Sequence, residues 1–249
     1  MSYPDWLQRT ELLLGPEKLL KLSKANVLVV GLGGVGAYTA EMLCRAGIGQ
    51  MTIVDGDQIH PTNRNRQLIA LKSLEGRSKA GSMADRLLDI NPDLQLTVIE
   101  EYIRDDRMVE IINEPYDYVV DAIDTLAPKV FLIYHTLRCG HPIVSSMGSG
   151  GKMNPEEIRI SDLSESYNCK LAGILRKRLH RLGVYSGVTV VFSPEKVGKE
   201  AVILTEGEEN KKSTVGTISY MPPLFGCFMA SVVIRHLTIP TSISSQESS

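Results

Sequence analysis

Cysteine is scarce in this chain, and its four residues lie far apart, at positions 44, 139, 169 and 227. They form no Cys-x-x-Cys pair, which is the usual signature of structural zinc sites and redox-active dithiols. We therefore expect neither kind of site. Isolated cysteines are typical of reduced thiols in a cytosolic protein.

Long hydrophobic runs are missing as well. No stretch approaches the roughly 20 apolar residues that a membrane-spanning helix needs. The first residues carry Asp5, Arg9 and Glu11 in place of the apolar core of a signal peptide. These absences predict a cytoplasmic protein with no membrane partner.

An excess of positive charge is the third absence. The 249 residues include 27 Lys and Arg against 29 Asp and Glu, which leaves a net charge of −2. A chain-wide nucleic-acid footprint is therefore excluded, and any such surface has to be a local patch. With 43% hydrophobic residues, the composition is that of a packed globular protein.

A glycine-rich turn is the most informative stretch that is present. An apolar run at 27–30 predicts a strand, and helical spacing begins after position 36. The turn between them contains Gly31, Gly33, Gly34 and Gly36. In such turns the first glycine permits a tight bend, the second lets the backbone approach a phosphate, and the last lets helix and strand pack closely. Free N–H groups at the helix start complete an anion site. The turn predicts a bound nucleotide and leaves NAD, FAD and ATP open.

Polar residues follow the next predicted strand, at 51–54. It ends in Asp55, where dinucleotide-binding folds place the acid that binds ribose; an aspartate that only shapes the turn is the alternative. In the loop beyond, the candidate nucleotide contacts are Asp57, Asn63, Arg66 and Gln67. Arginine binds phosphate oxygens bidentately, so this loop suits a triphosphate better than a nicotinamide. A solvated loop has the same composition.

Two further charged residues are candidates for the site. Lys79 lies near the start of a helix predicted at 77–90, from which it could reach the glycine turn, or it could simply be solvated. Asp124 follows a strand predicted at 116–122, and an acid at the carboxyl end of a parallel strand faces the cleft. There it could hold Mg²⁺ on phosphates.

Strands alternate with helices as far as position 148, which predicts an α/β, Rossmann-like fold. We expect a largely parallel N-terminal sheet, extended by antiparallel C-terminal strands near 188–192 and 201–204, with a polar loop at 206–212. We predict a helical lead-in at 1–25 and a nucleotide-binding part at 26–148. A mixed C-terminal part of the same domain follows at 149–237, and a disordered tail at 238–249.

A helix predicted at 171–182 has leucines on one face. Its other face carries most of the five basic residues Arg176, Lys177, Arg178, His180 and Arg181. This face could bind RNA phosphates, and a merely solvated face is an equally good interpretation.

Taken together, these motifs resemble the adenylating domain of the ubiquitin-activating, molybdopterin- and thiamine-pathway enzymes, the ThiF-like superfamily. The motifs that carry the resemblance are the glycine turn at 31–36, Asp55-Gly-Asp57, the run 63–67, Lys79 and Asp124. Segments 121–125, 128–129 and 148–152, with the basic helix, are similar to the branch that dehydrates threonylcarbamoyladenosine in tRNA. The resemblance spans residues 9–237.

The resemblance implies an ATP-binding adenylating fold that activates a carboxylate. The implied substrate is the threonylcarbamoyl group beside a tRNA anticodon, which would become an acyl-adenylate and then cyclise with net loss of water. Arg66, Lys79 and the N–H groups of the glycine turn would stabilise charge on the α-phosphate. Asp124 would hold Mg²⁺.

The remaining implied roles concern orientation and assembly. Asp55 and Asn63 would orient the nucleotide, and Arg9 would act in trans on the γ-phosphate in a homodimer. No protein nucleophile or general base is required, because the substrate supplies its own.

Three other interpretations stay open. Adenylation of the C-terminus of a sulfur-carrier or ubiquitin-like protein would call for a zinc clasp or an acceptor cysteine, and Cys169 is the one loop candidate. An NAD-dependent oxidoreductase would leave Arg64, Arg66, Lys79 and Asp124 without roles. A nucleotide-binding scaffold without catalysis would not need the charged set.

Overall fold

A computed structural model describes residues 3–204 and 213–238. Its α-helices are α1 Gln8–Leu14, α2 Pro16–Lys24, α3 Gly36–Arg45, α4 Lys79–Ile90, α5 Asp105–Ile112, α6 Leu126–Arg138, α7 Lys170–His180 and α8 Met221–Thr238. Its strands are β1 Asn26–Val30, β2 Gln50–Val54, β3 Gln95–Ile99, β4 Tyr118–Asp121, β5 Ile143–Ser146, β6 Arg159–Asp162, β7 Thr189–Phe192, β8 Val202–Leu204 and β9 Ser213–Val215.

Seven of these strands form one sheet in the order β3-β2-β1-β4-β5-β7-β6. All neighbours are parallel except β6 and β7. Strand β1 pairs with β2 on one side and with β4 on the other, so the strand order reverses at β1. Ligands of open α/β sheets bind beyond the carboxyl ends of strands at such a reversal. The glycine turn follows β1 and therefore lies at this point.

The α/β fold class is confirmed. The structure also shows how each C-terminal strand, β6 to β9, is paired. The antiparallel extension of the sheet is β6, while β7 is parallel to β5 and antiparallel to β6. Strand β8 pairs antiparallel with β9 in a separate two-stranded sheet. The position of β7 explains its continuous apolar sequence, because Val190 and Val191 are buried on opposite faces of an inner strand.

The core lies on both faces of the large sheet, and β1 contributes to both. Val27 and Val29 pack with α3, α4 and α8, whereas Leu28 and Val30 pack with α5, α6 and α7. This division follows from the strand period of two.

Helix α8 packs against α3 through a close approach at Gly226. A Cβ there would lie 2.6 Å from the carbonyl oxygen of Val35. The helix continues through Thr238, whose hydroxyl donates to the Ile234 carbonyl at 2.7 Å, so the predicted tail was wrong at this residue. The rest of that tail and the loop predicted at 206–212 lie outside the described residues.

Helices α1 and α2 occupy the predicted helical lead-in and are separated by Gly15-Pro16, as expected. Across residues 3–204 and 213–238, no helix combines the length and apolar character needed to cross a membrane.

Candidate active site

The glycine turn is held in place by two close backbone approaches. Gly31 has a φ of 91°, and a Cβ on it would lie 2.8 Å from the Ala122 carbonyl oxygen at the end of β4. A Cβ on Gly36 would overlap the Gly31 carbonyl oxygen. Both positions therefore require glycine. Gly31 has a positive φ and no room for a Cβ, and Gly36 has no room for a Cβ.

Gly33 and Gly34 face different neighbours. A Cβ on Gly34 would lie 2.9 Å from Pro222 at the start of α8, whereas the space beside Gly33 is open as far as the amide of Gln67, at 3.8 Å. The backbone at Gly33 is thus the part of the turn that a ligand can approach.

Asp55 binds the glycine turn directly. One carboxylate oxygen accepts a 2.6 Å hydrogen bond from the Leu32 N–H, and the other accepts a 2.8 Å bond from the Asp57 N–H. Burial raises the pKa of Asp55 above its ordinary value, and the nearby Lys79 charge and these hydrogen bonds oppose that rise. The acid predicted to bind ribose therefore also connects β2 to the turn after β1. Each carboxylate oxygen has a second lone pair, which leaves capacity for a ribose hydroxyl.

Lys79 and Asp57 form an ion pair beside this contact. The ammonium lies 2.6 Å from a carboxylate oxygen of Asp57, and Lys79 is only 4% exposed. Its backbone N–H donates to the Asp57 carbonyl at 3.0 Å, and the hydroxyl of Ser78 caps the first turn of α4. The solvated-lysine alternative is therefore wrong, because the helix start turns the side chain inward.

Tyr102 was not predicted and belongs to the same cluster. Its hydroxyl donates to the second carboxylate oxygen of Asp57, and its ring packs on Gly56. The hydrogen bond to Asp57, with burial and the surrounding negative charge, raises the pKa of Tyr102 to about 12. Its one sequence signal is its position just after β3, at the sheet edge where the other strands end.

The loop at 63–67 separates its two arginines. Arg64 pairs with Glu75 at 3.3 Å, while the Arg66 guanidinium donates to the Thr62 carbonyl at 2.9 Å and the Asn65 side chain at 2.8 Å. Arg66 is the arginine beside the glycine turn, because a Cβ on Gly34 would lie 3.5 Å from its Cγ.

Asn63 is buried in this loop, and Gln67 is half-buried. The Asn63 side-chain oxygen accepts from the His60 N–H at 3.0 Å, so Asn63 holds the turn itself. Gln67 lies beside Gly33, and its buried side-chain oxygen has no hydrogen-bond partner within the described chain. Leaving such an acceptor unpaired costs about 1–3 kcal/mol.

Asp124 is exposed in the turn between β4 and α6. Beneath this turn lies a buried pair to which the sequence had assigned no role. The Lys129 ammonium is 2.8 Å from a carboxylate oxygen of Asp121, and both side chains are 0% exposed. The Ser145 hydroxyl donates to the same oxygen at 2.6 Å.

Two predicted residues lie outside this set of contacts. Arg9 is exposed on α1, and Cys169 is half-buried just before α7 with a free thiol. The structure therefore brings together the predicted residues that follow β1, β2 and β4, and it does not bring in Arg9.

The basic face of α7 is smaller than predicted. The Arg176 guanidinium donates to the carbonyls of Leu163 and Ser166 at 2.9 and 2.7 Å, and it is partly buried by these contacts. Its assignment to a phosphate-binding face was wrong, because its guanidinium is already bound by backbone carbonyls of the turn before α7. The exposed basic residues that remain are Lys177, Arg178, His180 and Arg181.

Comparisons with known proteins agree with this geometry. The ThiF family matches residues 7–247. The tRNA threonylcarbamoyladenosine dehydratase of Bacillus subtilis is 36% identical over 226 residues, covering 90% of this chain and 88% of the relative. The Escherichia coli protein of that name is 39% identical over 205 residues, covering 81% and 75%.

Solved structures show the same likeness. The crystal structure of E. coli tRNA N6-threonylcarbamoyladenosine dehydratase in complex with ATP has a TM-score of 0.86 and 34% sequence identity, covering 95% of this chain and 97% of that one. The structure of E. coli MccB with ATP, with a TM-score of 0.64 and 19% identity, shares the fold alone.

Proposed function

Because the chain belongs to the ThiF family, we propose that it is an ATP-dependent enzyme that dehydrates and cyclises the threonylcarbamoyl group on tRNA. The modified adenosine lies beside the anticodon, and the carboxylate of the group would be activated as an acyl-adenylate. The observation that carries the proposal is the cluster at the reversal of strand order. There the Asp57–Lys79 ion pair, Asp55 and the glycine turn contact one another in a chain related to these dehydratases.

The first step is transfer of an adenylyl group. A carboxylate oxygen of the substrate attacks the α-phosphorus of ATP, and the bond from that phosphorus to the bridging oxygen of the β-phosphate breaks. Pyrophosphate leaves, and a mixed anhydride of the carboxylate and AMP remains. Negative charge accumulates around the α-phosphate during this step, so fixed donors aimed there lower the barrier.

The chain offers three kinds of donor for that charge. The glycine-turn N–H groups lie at the start of α3, the Lys79 ammonium is buried beside Asp57, and the Arg66 guanidinium belongs to the adjoining loop. Gln67 also places its side-chain amide nitrogen beside Gly33, and this donor suits a phosphate oxygen of the nucleotide. Asp55 and Asn63 keep the surrounding turns in place.

A Mg²⁺ ion fits this arrangement as part of the bound nucleotide. Within the described chain, no group of three or more His, Cys, Asp or Glu side chains could hold a metal alone. Mg²⁺ is commonly held by one or two carboxylates together with substrate phosphates, and Asp124 supplies such a carboxylate at the carboxyl end of β4. When bound, the ion would neutralise charge on the leaving pyrophosphate.

The second step closes a ring. A nitrogen or oxygen atom within the substrate attacks the activated carbonyl carbon, and AMP leaves with the oxygen that the carboxylate has lost. The net change is loss of one water from the substrate and conversion of ATP to AMP and pyrophosphate. By overall reaction we therefore classify the enzyme as a ligase-type cyclase.

The tRNA surface that we propose is the exposed basic end of α7. Lys177, Arg178 and Arg181 are exposed near its C-terminus, while Leu175 and Leu179 bury the opposite face. A local cluster of this kind can bind RNA phosphates in a protein whose net charge is slightly negative. Because tRNA is its substrate, we expect the enzyme in the cytoplasm.

A homodimer completes the proposal. Helix α1 carries exposed Arg9 next to Leu12 and Leu13, which are 82% and 84% exposed. Two adjacent leucines in water are an apolar surface that a second copy could cover. A two-fold dimer would place each α1 against the other subunit, with Arg9 directed to the γ-phosphate in trans.

The decisive experiment combines purified protein, Mg·ATP and bulk tRNA, followed by mass spectrometry of the nucleosides. We expect the threonylcarbamoyladenosine signal to be replaced by one lighter by a single water, only when ATP is present. Unchanged tRNA would contradict the proposal. Adenylation that responds to a small carrier protein instead of tRNA would favour the sulfur-carrier alternative, and tight NAD binding without ATP binding would favour an oxidoreductase.

A further inference from the structure

The buried Asp121–Lys129 pair under the site is an unusual choice for a protein interior. Both side chains are fully buried, and the ion pair is 2.8 Å long. Removing two charges from water is costly, and apolar replacements of such pairs are often neutral or stabilising. Stability alone therefore does not explain why this position holds two charges.

The contacts of the pair indicate what it does. The Ile123 N–H donates to one carboxylate oxygen of Asp121 at 3.1 Å, and the Ile123 carbonyl accepts from the Lys129 ammonium at 2.9 Å. Both backbone polar groups of the residue immediately before Asp124 are thus bound by these two side chains.

Ala122, on the other side of Ile123 in the chain, is held by the glycine turn. The Ala122 carbonyl oxygen lies so close to Gly31 that a Cβ on that glycine would be 2.8 Å away. The Ser145 hydroxyl, donating at 2.6 Å, ties the Asp121 carboxylate to β5. The turn that carries Asp124 is therefore confined between the glycine turn and the buried pair.

We infer that Asp121 and Lys129 are positioning residues, which fix the turn at 122–125 so that Asp124 faces the nucleotide phosphates. The inference rests on the proposed function, because it takes adenylation as the reaction that Asp124 serves. Neither residue needs to touch ATP. A misplacement of about 1 Å can cost about 10²-fold in rate, so loss of the pair slows adenylation while the groups that bind ATP remain.

The test is a double-mutant cycle with Asp124. Lys129→Met and the charge-free pair Asp121→Asn/Lys129→Met are each made in the wild-type and Asp124→Asn backgrounds. Adenylation is followed in single turnovers with tRNA that carries threonylcarbamoyladenosine, and ATP affinity by calorimetry. Because the charge-free pair leaves no unpaired buried charge, it folds even if Lys129→Met alone does not.

We expect each change to slow adenylation by about 10²-fold or less in the wild-type background and to leave ATP affinity close to that of the wild type. In the Asp124→Asn background neither variant should slow adenylation further, because the turn then no longer carries the carboxylate that it positions. Ile112→Ala, a buried change on α5, serves as a control for lost stability. Equal losses in both backgrounds, or wild-type rates in the charge-free pair, would overturn the inference.

A second readout separates this inference from the proposed function. Hydrogen exchange of a peptide that spans 122–125, measured without substrates, should be faster in the charge-free pair than in the wild type and in Ile112→Ala. Unchanged exchange would overturn the inference even in an active enzyme. Failure of wild-type protein to convert tRNA would count against the proposed function only.

Discussion

The ammonium of Lys79 lies 2.6 Å from a carboxylate oxygen of Asp57 and is almost completely buried at the first residue of α4. Asp57 therefore holds the lysine in place before any phosphate arrives. This arrangement is preorganised, because the charge that would stabilise the α-phosphate is already fixed.

Loss of the lysine should be costly for chemistry. Lys79→Met should lower the adenylation rate about 10²- to 10³-fold and weaken ATP binding, because it removes one fixed cation and the ion-pair partner of Asp57. Single-turnover adenylation and calorimetry measure the two effects. Lys72→Met, at an exposed lysine in the preceding loop, is the matched control and should match the wild type. Equal behaviour of the two variants would remove Lys79 from the site.

The Tyr102 hydrogen bond should appear in the pH dependence of stability. The pKa of this phenol is raised from 10.0 to about 12 in the folded protein. The hydrogen bond of Tyr102 therefore contributes fully to folding stability below the pKa of the unfolded state. That contribution is lost as the pH rises through the pKa of the folded state. Thermal unfolding from pH 9 upward should show a steeper alkaline loss in the wild type than in Tyr102→Phe. If the melting temperatures of the two proteins fall in parallel with pH, the hydrogen bond from Tyr102 to Asp57 does not contribute to stability as proposed.

Asp124→Asn tests the carboxylate at the end of β4. Because Asp124 is exposed, the variant should fold normally, which thermal unfolding checks. Adenylation should fall about 10²- to 10³-fold, the usual cost of about 3–4 kcal/mol for one lost electrostatic contact to the transition state. Asp93→Asn, at another exposed aspartate, is the control. Wild-type adenylation by Asp124→Asn would exclude the proposed role.

Subunit mixing tests the trans arrangement of Arg9. Arg9→Ala and Asp124→Asn should each be strongly impaired as homodimers. In a mixed dimer one site carries both defects and the other carries neither, so activity should partly return. Native mass spectrometry must first establish that mixed dimers have formed. Mixed dimers without recovered activity would argue against a shared site, and a monomer in sedimentation experiments would exclude it.

The basic end of α7 makes a prediction about salt. Lys177→Ala/Arg181→Ala should weaken tRNA binding and flatten the salt dependence by roughly one unit per lost phosphate contact. ATP binding should not change. Arg176→Ala is an informative comparison, because that guanidinium binds carbonyls at 163–166. It should lower the melting temperature and leave the salt slope unchanged. If the double variant keeps the wild-type slope, this end of α7 is only a solvated surface.

The features best predicted from the sequence are those that depend on residues close together in the chain. The glycine turn, the acids at the ends of β2 and β4 and the leucine face of α7 depend on residues a few positions apart, where strand and helix periods apply. The reversal of strand order at β1 then brings these segments together, as expected for the fold.

Contacts between distant segments could not be predicted in this way. Tyr102 reaches Asp57 across 45 positions, and Ser145 reaches Asp121 across 24. Arg176 has the same helical spacing as its basic neighbours, yet the carbonyls near Ser166 draw it inward. Which way a side chain turns depends on the partners that packing supplies, and a helical pattern does not contain that information.

The insertion of β7 between β5 and β6 also has a consequence for synthesis on the ribosome. Strand β6 precedes β7 in the chain, and among the strands of residues 3–204 and 213–238 it pairs with β7 alone. It therefore has no place in the sheet until Phe192 has emerged. Until then the edge of β5 is an open strand in the nascent polypeptide, of the kind that invites pairing with other chains. Translational pausing after β5 has emerged and before β7 has emerged would prolong that exposure, so the nascent chain should be most prone to aggregate in that interval.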